Sequence, residues 1–388
     1  MIGLVAVLVS ISVCADVVNF PDPGLEGAIR NAIDKPTGDI QETDLIGLTA
    51  LDATRERISN LEGIQRCTDL TELHLNHNRL IDISPLSVLT NLITLDLNYN
   101  DIIDLSPLSG LSTITVLLLD ANETVDLSPL AGLANLQELS LLRSDVVDIR
   151  PLAGLTKLRL LTLADNDIID LSPLSELTNL TELSLSSTNA VDISPLSSLI
   201  NLEVLGLTRN HISNISALSG LINLTHLWLD DNHICDIRPL SNLTNLVRLD
   251  LGNTPGGFEF FSSGPNLIVD ISPLSGLTNL KTLYLSDNQI VDISALSGLT
   301  NLETLYLPCN EIADISALEG LSNLSDLYLG GNQIVDINAL VDNAGLVGPL
   351  SYVQIIYNDL DLTPGSPDML NIQALIDREV TVLYDPQN

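Results

Sequence analysis

Leucines return along this chain at constant phase. Leu70, Leu73 and Leu75 belong to the stretch Leu-Thr-Glu-Leu-His-Leu-Asn-His-Asn, which restarts 22 residues later at Leu92 and keeps that period through Ile114, Leu136, Leu158, Leu180, Leu202, Leu224 and Leu246. Three more copies begin at Leu280, Leu302 and Leu324. In all twelve units the fourth and sixth positions are Leu, while the positions beside them vary and are mostly polar. This alternation predicts a short strand with its leucines on one side. A strand that short cannot bury its leucines alone, so its copies must stack side by side into a solenoid with one elongated core. At about 4.8 Å per strand, thirteen units counting a degenerate first one predict a curved parallel sheet roughly 60 Å long.

The polar positions are as regular as the apolar ones. An asparagine column runs through Asn78, Asn100, Asn122, Asn166, Asn210, Asn232, Asn288, Asn310 and Asn332, interrupted by Ser144 and Thr188. Its amides are placed to bond loop backbone that the coil would otherwise bury without partners. After it the chain reads Asp-Ile-Ser-Pro-Leu-Ser, in which Ser84, Ser106 and Ser128 precede Pro85, Pro107 and Pro129. The pair predicts an N-cap and first residue of one tight helical or 3₁₀ turn, with no room for a full helix before the next strand.

The pattern divides the chain into residues 1–15, read as a signal peptide; 16–47, an N-terminal helical cap; 48–345, the repeats; and 346–388, a C-terminal cap. Ile2 to Val13 is apolar and ends in Val13-Cys14-Ala15, small residues placed as an export peptidase needs them, and too short to span a bilayer. In the first cap, Asp22 and Pro23 start a helix whose apolar face is Leu25, Ala28, Ile29, Ala32 and Ile33. Leu48, Leu51 and Ala53 then form the degenerate first unit. Past Leu346, Val353-Gln354-Ile355 with Asn358 echoes a strand, Met369 to Ile376 reads as a short helix, and Val380 to Leu383 as a last strand.

Composition narrows the function. Aromatics make up 3% of a chain that is 45% hydrophobic, so the core is aliphatic and each ring is conspicuous. The net charge of −35 opposes binding to nucleic acid or anionic lipid, and no long apolar stretch predicts a membrane span. Cys67, Cys235 and Cys309, left once Cys14 is removed, have no metal-like spacing, and Cys235 reads as a small core hydrophobe where other units carry Ile or Val.

Candidate chemistry concentrates near the C-terminal end of the strand face. The central column of that face runs Asp52, His74, Asp96, Leu118, Ser140, Thr162, Ser184, Gly206, Trp228, Asp250, Tyr284, Tyr306 and Tyr328. One unit is 34 residues long, from Leu246 to Leu280, and its extra stretch, Thr254 to Asn266, carries Phe258, Phe260 and Phe261. Seven of the twelve aromatics thus fall in one region. Each is worth roughly 2 kcal/mol when buried against a partner. The ligand-binding residues expected are Trp228, Arg248, Asp250, Phe258, Phe260, Phe261, Tyr284, Tyr306 and Tyr328; the alternative is that the Phe residues cover the flank and the tyrosines only pack ring on ring.

Other clusters carry less. The repeated aspartates Asp82, Asp104, Asp126, Asp148, Asp170, Asp192, Asp236, Asp270, Asp292, Asp314 and Asp336 suggest calcium, but an Asx bond to backbone two residues on accounts for them without a cation. His211 and His233 share a position otherwise held by solvated residues, and His74 and His77 have no histidine one repeat away. The sequons at Asn122, Asn179, Asn214, Asn223, Asn242 and Asn323 arise mostly from the Thr-Asn-Leu-Thr repeat itself. No Ser or Cys sits in a strained elbow beside a base, so no catalytic residue, cofactor or metal is expected.

From residue 48 to about 345, the units resemble the 22-residue leucine-rich repeats of the internalins, and the related repeats of an intracellular phosphatase regulator. The resemblance implies an α/β solenoid: a right-handed leucine-rich-repeat superhelix with a parallel concave sheet and short 3₁₀ or extended convex segments. It also implies that the concave face grips a protein, as internalins grip host surface proteins, with a glycan as the lesser alternative. An exported prokaryotic binding module, secreted or at the cell surface, is the expectation. An architectural surface protein and an intracellular phosphatase-regulating subunit are the alternatives.

Overall fold

The computed structural model describes residues 16–253 and 265–387. Fifteen strands of three residues each lie parallel in one sheet, in chain order, among these residues. The first are β1 (Ala50–Asp52), β2 (Glu72–His74), β3 (Thr94–Asp96) and β4 (Val116–Leu118); β5 (Glu138–Ser140), β6 (Leu160–Thr162), β7 (Glu182–Ser184) and β8 (Val204–Gly206) follow. Next come β9 (His226–Trp228), β10 (Arg248–Asp250), β11 (Thr282–Tyr284), β12 (Thr304–Tyr306) and β13 (Asp326–Tyr328). The last two, β14 (Tyr352–Gln354) and β15 (Thr381–Leu383), carry the sheet past the decayed repeats. Register follows the repeat, with Leu73 opposite Leu95 and Leu283 opposite Leu305. The inner leucines, from Leu73 and Leu75 to Leu327 and Leu329, are shut off from solvent along the whole stack.

The asparagine column welds each unit to the one before. Asn100 donates through Nδ2 to Leu75 O and Leu97 O, both at 3.0 Å, and accepts from Leu80 N at 3.0 Å. Where the column is broken, Ser144 Oγ still donates to Leu119 O at 3.0 Å and Thr188 Oγ1 to Leu185 O at 2.8 Å. The residue before the column is held in the left-handed region, with φ of 57° at His77, 54° at Arg209 and 54° at Asp287. A second, outer row comes from the Thr-Asn-Leu asparagines, in which Asn179 Nδ2 reaches Thr156 O at 2.7 Å and Asn223 Nδ2 reaches Ile200 O at 2.9 Å. Those sequon amides are therefore already engaged in the coil.

Two expectations need correction on the convex side. The 3₁₀ turns begin with Ser itself, as in Ser84–Val88 and Ser128–Gly132, so Pro is the second residue and Ser is not the cap. The capping acceptor is the preceding aspartate, with Ser84 N donating to Asp82 Oδ1 and Ser128 N to Asp126 Oδ1, both at 2.8 Å. Cys235 is exposed and not a core residue. Its column alternates outward between buried neighbours such as Leu80 and Ile83, so that Ile81 is 63% exposed; β-branched residues stand there because the segment is extended, whatever its burial.

Both ends are closed. Helix α1 (Pro23–Ala32) buries Leu25, Ala28 and Ile29, while Ile33 is half-buried and Ala32 turns to solvent, contrary to its predicted place on the apolar face. Asp22 fastens this helix to the first unit: one carboxylate oxygen accepts from Gly24 N and Leu25 N, the other from Ser59 N and Asn60 N. At the far end α2 (Asn338–Asp342) and α3 (Pro367–Asp377) pack on each other, with α3 also against β15, and bury Leu340, Ile372 and Leu375. No helix among the described residues is long and apolar enough to cross a membrane. The apolar run of residues 1–15 lies outside the described residues.

Candidate functional site

Side chains that alternate with the buried leucines cover the open strand face. From β9 onward they interlock. The guanidinium of Arg248 lies 5.8 Å from the Trp228 ring on one side and 4.9 Å from the Tyr284 ring on the other. Tyr284 meets Tyr306 at 5.7 Å between ring centres, and Tyr306 meets Tyr328 at 4.7 Å, both tilted by more than 40°. Tyr352 of β14 continues the row, 5.2 Å from Tyr328, and His226 lies 5.9 Å from Trp228 at its other end. Each ring is half-buried, packed on its neighbour yet open on the other side. A cation between two rings is worth about 0.5–2 kcal/mol, and each tilted ring pair about 1 kcal/mol.

Carboxylates line the edge where these strands run out. Asp250 lies directly opposite Trp228 in register, and Asp230 is two residues past Trp228 on the same face. Burial pushes Asp250 up to about 7; the neighbouring Asp230 adds to that, while the Gly252 N–H donated to its carboxylate at 3.1 Å and the Arg248 charge oppose it. Burial also raises Asp230, against a 2.7 Å hydrogen bond from the Thr208 hydroxyl. Asp231 pairs with Arg209 at 3.4 Å. Arg248 Nε is buried without a hydrogen-bond partner among the described residues.

Toward the middle of the sheet the face opens into a hollow of about 330 Å³ lined by Leu160, Thr162, Ser184, Val204, Gly206 and Trp228. The opening exists because β8 ends in Gly206, which stands in register between Ser184 and Trp228.

Of the residues expected from the sequence, Trp228, Arg248, Asp250, Tyr284, Tyr306 and Tyr328 are brought onto one continuous surface. Phe258, Phe260 and Phe261 lie outside the described residues. The base of their segment is described: Asn266 N donates to Asn253 Oδ1 at 2.7 Å and Asn253 Nδ2 to Asn266 O at 3.3 Å. Asn266 then takes the column position of its unit, donating to Leu229 O at 3.0 Å and accepting from Ile234 N at 2.9 Å. The sequence reading missed Tyr352, which follows the decay of the pattern, and the hollow, which is signalled only by a small residue in a column of larger ones.

The histidines are placed without metal-like grouping. His211 and His233 stack at 5.6 Å, His77 stacks on Tyr99 at 4.3 Å, and His74 lies 3.9 Å from Asp96. Among the described residues no three His, Cys, Asp or Glu side chains converge as a cation would need.

A family model described as two copies of a leucine-rich repeat matches residues 68–110, 156–198, 200–242 and 300–342, and a single leucine-rich-repeat model matches residues 266–312. No curated protein matches the chain. Among solved structures the chain is similar to the internalin InlF of Listeria monocytogenes, with 32% identity and a TM-score of 0.80 over 91% of this chain and 100% of that one. It is similar to a leucine-rich-repeat protein of Leptospira interrogans, with 25% identity and a TM-score of 0.75 over 92% and 98% of the two chains. The functional domain of InlJ from Listeria monocytogenes shares the fold, with 20% identity and a TM-score of 0.63 over 88% and 84%.

Proposed function

We propose a function from one premise: this chain belongs to the internalin-like leucine-rich-repeat family, whose solenoids are protein-interaction modules. The protein is an exported recognition module, secreted or held at the cell surface, that binds a protein ligand on the C-terminal half of its concave face. The observation that carries this is the unbroken row from His226 through Trp228, Arg248, Tyr284, Tyr306 and Tyr328 to Tyr352, packed internally yet open to solvent. Rings and arginine prepositioned in this way lose little freedom on binding, the condition under which a few residues dominate an interface.

The test is a pull-down from cell-surface extracts with the parent protein and with Trp228→Ala, Tyr284→Ala and Tyr306→Ala combined. The triple variant is expected to lose the captured protein while keeping its far-UV spectrum. Equal capture by both would remove the assigned site. Export is tested by mass spectrometry of the secreted and surface fractions, where the mature chain is expected to begin at Asp16.

A further inference from the structure

Resting on the concave-face reading above, we propose that the partner presents a basic segment that seats one bulky apolar side chain over Gly206 and sets a lysine or arginine against Asp230 and Asp250. The seat is the hollow of about 330 Å³ walled by Leu160, Val204 and Trp228. Glycine is not required there by the backbone, since Gly206 is absent from the positive-φ glycines. A Cβ at this position would meet Ser186 Oγ at 3.2 Å and Ser184 Oγ at 3.5 Å, with no backbone in the way closer than 3.8 Å. The first of these contacts is tight, so glycine spares the Ser186 hydroxyl a push and leaves the hollow beside the single tryptophan of the chain unfilled.

The charge of the visitor follows from the next two strands. Asp250 faces Trp228 across the register and Asp230 lies just beyond Trp228, while the Arg248 guanidinium lies between the rings of Trp228 and Tyr284. Burial raises both carboxyls and the neighbouring Asp230 adds to the rise at Asp250, against the opposing charges of Arg248 on Asp250 and Arg209 on Asp230. A cation brought in by a partner would relieve the repulsion between the two carboxyls and favour their charged forms. Gly206 and Asp250 are two strand spacings apart, about 10 Å, which residues two or three apart in an extended segment span. The net charge of −35 steers a basic partner inward and repels a second copy of this chain.

The experiment is selection of a phage-displayed random peptide library on the full-length protein, followed by titration of the most enriched peptide as a synthetic probe. Enriched sequences are expected to carry Leu, Ile, Phe or Trp two or three residues from Lys or Arg. The synthetic peptide is expected to lose about tenfold or more in affinity to Gly206→Leu, and likewise to the isosteric pair Asp230→Asn with Asp250→Asn, and to weaken as salt is added. Enrichment of acidic or uncharged sequences, failure to enrich any sequence, or equal affinity for the parent and the Asn pair overturns the inference. The Trp228, Tyr284 and Tyr306 triple variant separates the two levels. If it binds the peptide as the parent does, the concave-face reading itself falls. If it loses the peptide while the Gly206→Leu and Asn-pair variants keep it, only the basic-segment inference falls.

Discussion

The middle and the C-terminal end of the concave face share one frame and differ in everything mounted on it. Leu161 and Leu183 beneath the middle strands are as buried as Leu305 and Leu327 beneath the tyrosines, and Asn166 and Asn310 make the same column bonds. Above them, the middle shows Ser140, Thr162, Ser184 and Gly206, and the end shows Trp228, Asp250, Tyr284, Tyr306 and Tyr328. Frame and surface therefore vary independently, because the strand's alternation sends every second side chain away from the core. Buried leucines are spread evenly along the stack, whereas the interlocked row of rings and the raised carboxyl of Asp250 are confined to six strands of it, β9 to β14.

The harshest way to break this comparison is to cut the frame at matched positions. Leu161→Ala and Leu305→Ala are each expected to cost about 2–5 kcal/mol, and to agree with each other within about 1 kcal/mol, in chemical denaturation. A much larger loss at Leu305 would mean that the aromatic row supports the frame as well as the surface.

The acidic edge gives the next effect, and its sign is fixed. Folded Asp250 keeps its proton up to about 7, whereas an unfolded Asp gives it up near 4. Folding thus takes up a proton between those values, and this residue's contribution to stability falls as pH rises from about 4 to 7. Asp250→Asn is expected to melt a few degrees above the parent at pH 8, with the gain shrinking through pH 6 and gone at pH 4. A gain that does not depend on pH would mean that burial of the charge is not what raises this carboxyl.

The smallest effect lies in the rings themselves. Tyr306→Ala removes contacts at 5.7 and 4.7 Å on its two sides and is expected to cost about 1 kcal/mol in thermal unfolding. Thr162→Ala, its counterpart in the middle, is expected to cost less than about 0.5 kcal/mol. Equal costs would erase the distinction between a packed surface and a merely exposed one.

Much of the frame was legible because the period alone phases it. Leu73 and Leu75 fix the inner face, and Asn78 fixes the bend, in every unit that copies them. Misreadings arose where one letter serves two environments. Isoleucine at Ile83 is buried and at Ile81 is not, so the letters of the latter column suggest core where Cys235 is in fact exposed. Serine before proline looks like a cap, yet the aspartate two residues earlier presents a full charge to the same N–H and takes the role. The site was legible only as a count of rings. That Arg248 lies between Trp228 and Tyr284 depends on register across the long unit, and that Gly206 opens a hollow depends on its neighbours being present.

The paired amides of Asn253 and Asn266 have a consequence for how such a molecule changes over time. They shut the base of the inserted stretch so that Asn266 resumes the column as though nothing intervened. To the spiral, the excursion counts as zero residues. Because Asn253 and Asn266 meet across it, the number of residues between them can change while every later turn stays in phase, so length can be gained or lost at this one point without renegotiating the rest of the coil.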